Sequence, residues 1–506
     1  MTKTKISFLN SLTAALYSIV QIAVGIILPR LILGKFGSDI NGLTVSIQQY
    51  IGYLTYLEIG LSSVFIYSLY KPLAANDYSN INNLVISAKK SYDKTGLFYF
   101  IGIVVVAVIY PFLVNTGGIE LWIVILLVFV IGISGLFDMI TVSKYRVLLT
   151  ADQKLYIINL SFSASALVGF IFSFLLIYFN QHILAVKASV IISIILRTIF
   201  LHFYVKKKYP YLNFKKTEEI VAPKVQVKRF DALLMQLSKS IAHSLPIIAL
   251  SLFTSLKVVS IYSVYALVFH GLKTIVDSVT GGSTASFGNL FSNKEEKKAV
   301  IAFGQFELSL ASIQTLLYSV ASILIIPFVT LYVRGIEDAS NYINPLFGIL
   351  FVFWAFIDNF RLPAQTIIQA AGKFKETRIT NILYIVIEII LLSVLTPFFG
   401  IAGALISMIV ASLYKSISFL VIVKKYIFRD YYIPSIVRAM VGLFLLVSAQ
   451  LFAHYIGIKV DGIMSFVFWG TLLVLLFAVI IVALSFVHSK KDTRSLLRRF
   501  FIRKKR

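Results

Sequence analysis

Long apolar runs separated by short polar segments fill the chain. Fourteen reach the length of about 20 residues that a helix needs to cross a hydrocarbon core about 30 Å thick. In order they are Phe8 to Leu33, Asn41 to Tyr70, Gly96 to Val114, Glu120 to Val142, Leu155 to Phe179, Ile183 to Val205 and Ala232 to Leu256. Then follow Val258 to Thr280, Val300 to Val333, Tyr342 to Leu362, Ile379 to Phe398, Ile401 to Val423, Pro434 to Tyr455 and Gly462 to Val487. The pattern predicts an all-α polytopic membrane protein with 14 transmembrane helices. No polar stretch is long enough to build a soluble domain.

Composition sharpens this. Hydrophobic residues make up 58% of the 506 positions and charged ones 14%, against about 25% charged in soluble domains. A net charge of +25 would elsewhere point to nucleic acid, but the basic residues alternate with the helices. The segments on one side, with their flanks, hold 37 of the 47 Lys and Arg. Loops on the other side hold six: Arg30, Lys35, Lys187, Lys257, Arg334 and Lys459. The positive-inside rule therefore places both termini in the cytoplasm and excludes a nucleic-acid partner. The run Lys206, Lys207, Lys208, Lys215 and Lys216 reads as a topology signal, and the tail Ser489 to Arg506 as an orientation anchor or a segment lying on anionic lipid. The first apolar run has no small-residue cleavage site and is read as a retained helix. With no cysteine, disulfides, thiolate metal sites and cysteine nucleophiles are excluded.

One nearly constant shift aligns the two halves. Leu28-Pro29 matches Leu245-Pro246, and Asn76 matches Asn293, at the same offset. Tyr110-Pro111-Phe112 matches Ile326-Pro327-Phe328, Asp138 faces Asp358, and Ala151 faces Ala371, all at almost that offset. Two six-helix halves with the same orientation are the parallel-repeat plan of many transporters, with a central cavity between lobes that rock. The expected organisation is an N-terminal lobe (1–205), a basic cytoplasmic linker (206–231), a C-terminal lobe (232–423), helices 13 and 14 (424–488) and a basic tail (489–506).

Polar side chains at mid-membrane are costly, so they should face a watery or protein-lined interior. Helix one carries Asn10, Thr13, Tyr17, Gln21 and Gly25 on one stripe, and helix two Gln48, Thr55, Glu58 and Ser62. Their repeat equivalents carry Gln236, Lys239, His243 and Pro246, then Ser263, His270, Lys273 and Asp277. These four faces are expected to line the cavity, with interhelical hydrogen bonding as the competing explanation. Asp277 can pair with Lys273 one turn earlier. Arg197, Glu388 and Lys415 lie mid-span, where interhelical ion pairs account for them as well as ligand binding does. Asp138 and Asp358 sit near predicted cytoplasmic helix ends, where Arg146 and Arg361 can neutralise them, and are assigned to a gate or to lobe packing.

No phosphate-cradling loop for ATP is present, and the six histidines lack metal-ligand spacing. No cofactor, metal or catalytic residue is expected, and energy must come from a gradient or from substrate supply.

The stretch Leu28-Pro-Arg-Leu-Ile-Leu-Gly-Lys-Phe-Gly-Ser-Asp-Ile-Asn-Gly-Leu43, with Gln48-Gln49-Tyr50, Leu57-Glu-Ile-Gly-Leu61, Leu69-Tyr70-Lys-Pro-Leu-Ala74 and Gln369-Ala-Ala-Gly-Lys-Phe374, resembles bacterial polysaccharide flippases of the multidrug/oligosaccharidyl-lipid/polysaccharide exporter superfamily. The resemblance implies a V-shaped pair of six-helix bundles in the bacterial cytoplasmic membrane. Its substrate would be an undecaprenyl-pyrophosphate-linked oligosaccharide, flipped to the outer leaflet for capsular or other cell-surface polysaccharide. It also implies membrane lipids and polysaccharide polymerase machinery as partners. A monomer suffices, since the cavity lies within one chain.

Arg30, Arg197, Lys239 and Lys273 are the candidate ligands for pyrophosphate, with Gln21 and Gln48 for pyrophosphate or sugar. Glu58, Asp138, Asp277, Asp358 and Glu388 are candidates for coupling to a proton or sodium ion, or for gating. The chain departs from the related lipid II flippases, which carry arginines in helices one, two and eight. Here helix one is uncharged before Arg30, helix two has Glu58 and helix eight has Lys273. A cation-coupled multidrug antiporter of the same superfamily is the alternative; a membrane polymerase or ligase would need a large outward loop, which is lacking, and a scaffold would have no use for equivalent ionisable groups.

Overall fold

The computed structural model describes residues 3–58, 61–213, 230–428, 433–456 and 460–488. Lys215, Lys216, Lys459 and the basic tail lie outside them. Among the described residues all regular structure is helical. Eleven stretches are long and apolar enough to cross a membrane. Two of these, Lys5–Ala75 and Lys375–Tyr426, each contain a glycine break, at Gly37 and Gly400, and so hold two crossings apiece. With α8 (Phe230–Phe253) added, helix underlies all fourteen predicted spans. Large apolar side chains such as Phe112 and Val479 are exposed, at 87% and 70%, as in a multi-pass membrane protein whose outer solvent is lipid.

The chain divides into two compact units, Met1–Leu233 with Ser255–Ser260, and Leu234–Thr254 with Ile261–Arg506. The first holds α1 (Lys3–Leu54), a 3₁₀ turn (Thr55–Glu58), α2 (Leu61–Ala75), α3 (Tyr78–Leu113), α4 (Leu121–Thr141), α5 (Ser143–Ala151), α6 (Leu155–Tyr178) and α7 (Ile183–Lys208). Gly37 has φ 79° and ψ 177°, a conformation almost confined to glycine, and it breaks α1 in two. The second predicted span is interrupted at the 3₁₀ turn, which carries Glu58.

Capping fixes several helix starts. The Asp77 carboxylate accepts from the Asn80 amide at 3.1 Å to open α3, satisfying an N–H that a first turn leaves orphaned. Close approach of α3 and α4 depends on glycine: a Cβ on Gly132 would lie 2.7 Å from Ile103, and one on Gly135 would lie 2.2 Å from the Tyr99 hydroxyl. Small residues serve helix contacts in membranes in this way, because dispersion and not water exclusion drives them.

The second unit holds most of α9 (Leu256–Gly281), with α8, α10 (Ser283–Ser292), α11 (Glu296–Tyr332), α12 (Pro345–Phe360), α13 (Leu362–Ala370), α14 (Arg378–Tyr426), α15 (Ile433–Ile456) and α16 (Ile463–His488). Phe351 of α12 stacks between Tyr265 and Phe269 of α9, with ring centres 5.6 and 5.4 Å away. The two C-terminal helices pack on α11 through Leu324, Leu445, Ala449, Leu473 and Phe477.

Backbone geometry carries the duplication further than side-chain identity does. Left-handed residues recur in pairs, Asn76 with Lys294, Gly117 with Gly335, Gln153 with Gly372 and Asn180 with Gly400, and the offset within each pair is almost the same. The short helices α5 and α13, starting at Ser143 and Leu362, follow that offset too. The same helix ends and turns were thus kept while most side chains diverged.

Candidate functional site

In the first unit, two buried or half-buried ion pairs tie the helices together. Glu58 Oε1 accepts from Arg146 Nη2 of α5 at 2.5 Å, from Ser62 at 3.2 Å and from Ser143 at 3.4 Å. Ser62 in turn shares a 2.7 Å hydrogen bond with the Tyr92 hydroxyl of α3. Asp138 of α4 accepts from Arg197 Nη2 of α7 at 2.5 Å, and that guanidinium lies 3.9 Å from the centre of the Phe162 ring of α6, a cation–π contact. Arg146, expected at Asp138, is therefore engaged by Glu58, and Arg197 takes Asp138. The reason lies in the interrupted second span, since the turn at Thr55–Glu58 brings the Glu58 carboxylate to α5.

The stripe on α1 divides. Asn10 donates to the Gln153 carbonyl at 2.9 Å and accepts from the Tyr156 amide at 2.8 Å, and Thr13 accepts from Asn159 at 3.3 Å. These bonds join α1 to α6 and are packing. Gln21 and Gln48 are exposed. Arg30 is half-buried, its guanidinium lying beside Gly34, where a Cβ would be only 2.9 Å away.

In the second unit the charges form one larger network. Asp358 accepts from Lys273 at 2.8 Å, from Arg361 Nη2 at 2.8 Å and Nε at 3.1 Å, and from Ser412 at 3.5 Å. Lys273 also donates to Asn359 at 3.1 Å, whose carbonyl accepts from Gln314 at 3.0 Å. Arg361 thus neutralises Asp358 as the charge pattern anticipates, but Lys273 joins it, giving two cations to one carboxylate. Side-chain exposure is 15% for Lys273, 7% for Asp358 and 2% for Arg361. Lys273 is the accessible member.

Deeper in this unit, Lys415 is 1% exposed. Its ammonium donates to Ser238 at 3.2 Å and lies 4.1 Å from the centre of the Tyr384 ring. Ser238 donates to Asn381 at 3.1 Å. Glu388, also 1% exposed, has an Oε2 with no hydrogen-bond partner among the described residues. His243 of α8 and His270 of α9 lie with ring centres 4.0 Å apart. Asp277 is half-buried; the side chain of Lys239 lies outside the described residues.

Sequence reasoning passed over one pair. Glu307 of α11 accepts from Arg438 of α15 and from Ser435, each at 2.5 Å, with the two charged side chains 4% and 2% exposed. The signal was available, since Glu307 and Arg438 both interrupt apolar runs.

Solved structures share this architecture. A lipid II flippase, MurJ, in an inward closed conformation superposes with a TM-score of 0.63 at 13% identity, over 95% of this chain and 99% of that one. An inward-facing multidrug resistance MATE family transporter of the MOP superfamily gives 0.55 at 12%, over 86% and 99%. MATE in complex with MaL6 gives 0.56 at 13%, over 89% and 100%. The chain has the fold of these transporters. No family model and no curated protein matches its sequence.

The transporter fold gives the buried charges a context. Ions withdrawn from water cost several kcal/mol each unless geometry and further hydrogen bonds offset it. Asp358 has such offsets on every side. Lys415 has Ser238 and the Tyr384 ring, and Glu388 keeps one carboxylate oxygen without a hydrogen-bond partner among the described residues; ionisable groups kept within membrane spans despite their cost commonly mark functional sites.

At the predicted cytoplasmic end of α7, the Tyr209 hydroxyl donates to Asp152 at 2.5 Å and accepts from Lys154 at 3.0 Å. Burial, reinforced by Asp152, pushes the Tyr209 phenol well above its ordinary value. Tyr211, pushed up to about 12 chiefly by burial, packs against Tyr78 with ring centres 4.4 Å apart and the planes tilted by 33°. The start of the linker is thereby pinned to the first unit.

Proposed function

We propose that the chain is a flippase that moves undecaprenyl-pyrophosphate-linked oligosaccharide units from the cytoplasmic to the outer leaflet by alternating access. The observation that carries this reading over a multidrug antiporter is the extent of the likeness. An alignment over 95% of the chain leaves out fewer positions than α15 and α16 contain together, with 24 and 26 residues. Those two helices are therefore at least partly inside the flippase likeness, whereas alignments over 86% and 89% can omit them.

Chemistry supports the same substrate class. Lys273 and Arg361 both face Asp358, and Lys273 is the most accessible of the three. A pyrophosphate oxygen approaching Lys273 exchanges one anionic partner for another, so binding avoids desolvating a bare ammonium. Gln21, Gln48 and His243, all exposed, offer hydrogen bonds to sugar hydroxyls. Glu388, with its unpartnered carboxylate oxygen, is the group proposed to take up a proton if transport is gradient-coupled. The proposed setting is the bacterial cytoplasmic membrane, with both termini inside and polysaccharide polymerase machinery downstream.

The test is leaflet transfer of a fluorescent undecaprenyl-pyrophosphate oligosaccharide in proteoliposomes, comparing wild type with Lys273→Ala. A tenfold or greater loss, with the unfolding temperature retained, is expected. Full transfer by Lys273→Ala, with loss in Glu58→Gln and efflux of a cationic dye, would favour the antiporter.

A further inference from the structure

His243 of α8 and His270 of α9 face each other within the second unit, with ring centres 4.0 Å apart and planes tilted by 52°. Packing next to each ring holds the pair in place. Ala242 packs with Tyr384 and Ala411 of α14. Phe269 stacks on Phe351 of α12 and on Tyr318 of α11, with ring centres 5.4 and 6.5 Å away. His243 is exposed and His270 half-buried, so the pair runs inward from an open face. Lys273 follows His270 by three residues on α9, which puts it on the same face about one turn away.

The other ionisable groups on these helices and on those packed against them are Lys239 of α8, Asp277 of α9, Asp358 of α12 with Arg361, Glu388 and Lys415 of α14, and Glu307 of α11. Glu307 is engaged by Arg438, and Asp358 by Lys273 and Arg361. Tyrosines such as Tyr318 and Tyr384 ordinarily ionise near 10, outside the range that concerns imidazole.

Two imidazolium rings with centres 4.0 Å apart repel each other, the more so away from bulk water, so the pair carries at most one proton. Lys273, one turn away, opposes even that one. An anion docked on Lys273 reverses the balance: its charge draws a proton to the pair, and the imidazolium N–H then donates to a phosphate oxygen. The proton comes from water, and no covalent bond of the substrate changes.

We propose that His243 and His270 take up one proton when a pyrophosphate binds at Lys273, and so become a second cationic ligand for it. This rests on the flippase reading and adds a regulation to the same site. Substrate affinity rises as pH falls through the range in which the pair gains its proton, and the gain is lost as pH rises.

Isothermal titration calorimetry of the detergent-purified full chain with an undecaprenyl-pyrophosphate oligosaccharide tests this, run in two buffers of different ionisation enthalpy. Both phosphates of that probe are diesters, so its own charge is fixed from about pH 6 to about pH 8. Wild type is expected to take up close to one proton per probe near pH 7, with affinity rising by up to about tenfold per unit fall in pH. His270→Gln should abolish the uptake, matching wild-type affinity near pH 8 and falling about tenfold short near pH 6. His243→Gln, which removes the opposing ring, should reduce the uptake. Binding without proton uptake in the wild type overturns the proposal, and so does undiminished uptake in His270→Gln, which would place the proton at Glu388. Absence of saturable binding at any pH would contradict the substrate reading itself. If His270→Gln lowers the unfolding temperature, the wild-type proton count and His243→Gln, at an exposed position, decide.

Discussion

Glu307 and Arg438 show how much a single buried pair can hold. Both are almost fully buried, and α11 contacts α15 through them. Removing one partner leaves a charge with neither water nor counter-ion, which costs about 3–5 kcal/mol. Arg438→Met should therefore lower the unfolding temperature in detergent markedly, while the double variant with Glu307→Gln should recover much of the loss. A double variant no better than the single would show that packing, and not charge, dominates there. At this scale the sequence was only partly legible. Every ionisable residue inside an apolar run could be found by inspection, because its cost in lipid marks it. Which acid meets which base could not, because Arg146 reaches Glu58 only through a turn at Thr55–Glu58 that no hydropathy window detects. Arg361 beside Asp358 was readable, being less than one helical turn further along the chain.

Helix breaks and turns carry the next level of information. Gly37 and Gly400 occupy backbone regions that side-chain-bearing residues reach at about 1–3 kcal/mol, so Gly37→Ala should destabilise the protein by that amount. Thermal unfolding would check it; an unchanged midpoint would mean that the turn can be rebuilt. Gln153 stands where the other half has Gly372, both with positive φ. Gln153→Gly should consequently be neutral or stabilising by up to about 1 kcal/mol, whereas Gly372→Val should destabilise by at least as much.

The anchor at the start of the linker gives a pH expectation. The Tyr209 phenol is raised above its unfolded value by burial and by its bond to Asp152. Its contribution is complete below about pH 10 and is lost as pH rises toward the folded value. Proteolytic cleavage near residues 209–213 should accelerate above that pH, and Tyr209→Phe should blunt the change; a flat profile in the wild type would contradict the anchor. Apolar spans were legible because hydrocarbon thickness fixes their length. The extensions of α3 and α11 beyond the apolar region, and the short helices α5, α10 and α13, were not, since a hydropathy window reports the lipid slab and not the helix that runs past it.

Two halves that share their turns at a nearly constant offset but differ in charge wiring make the whole molecule asymmetric in a useful way. Asp138 and Asp358 occupy equivalent positions, yet Asp138 has one cation and Asp358 has two. Lys415 stands where the first half has Arg197 and, instead of an acid, holds Ser238 and an aromatic face. The first unit pairs Glu58 with Arg146 and Asp138 with Arg197, and in the second one carboxylate oxygen of Glu388 has no hydrogen-bond partner among the described residues. On this account Lys273 and Glu388 of the second unit carry pyrophosphate recognition and coupling, while the first unit, stabilised by its own ion pairs, contributes Gln21 and Gln48 toward the sugar. The fold and its duplication could be anticipated from residue spacing; the division of labour could not, because it depends on which charges meet.

The most direct measurement is transfer of a fluorescent undecaprenyl-pyrophosphate oligosaccharide between leaflets of proteoliposomes containing the wild-type chain, with and without a proton or sodium gradient. The account predicts protein-dependent transfer of the lipid-linked sugar and no export of a cationic dye. Dye export driven by the gradient, with no transfer of the lipid-linked sugar under any condition, would contradict it.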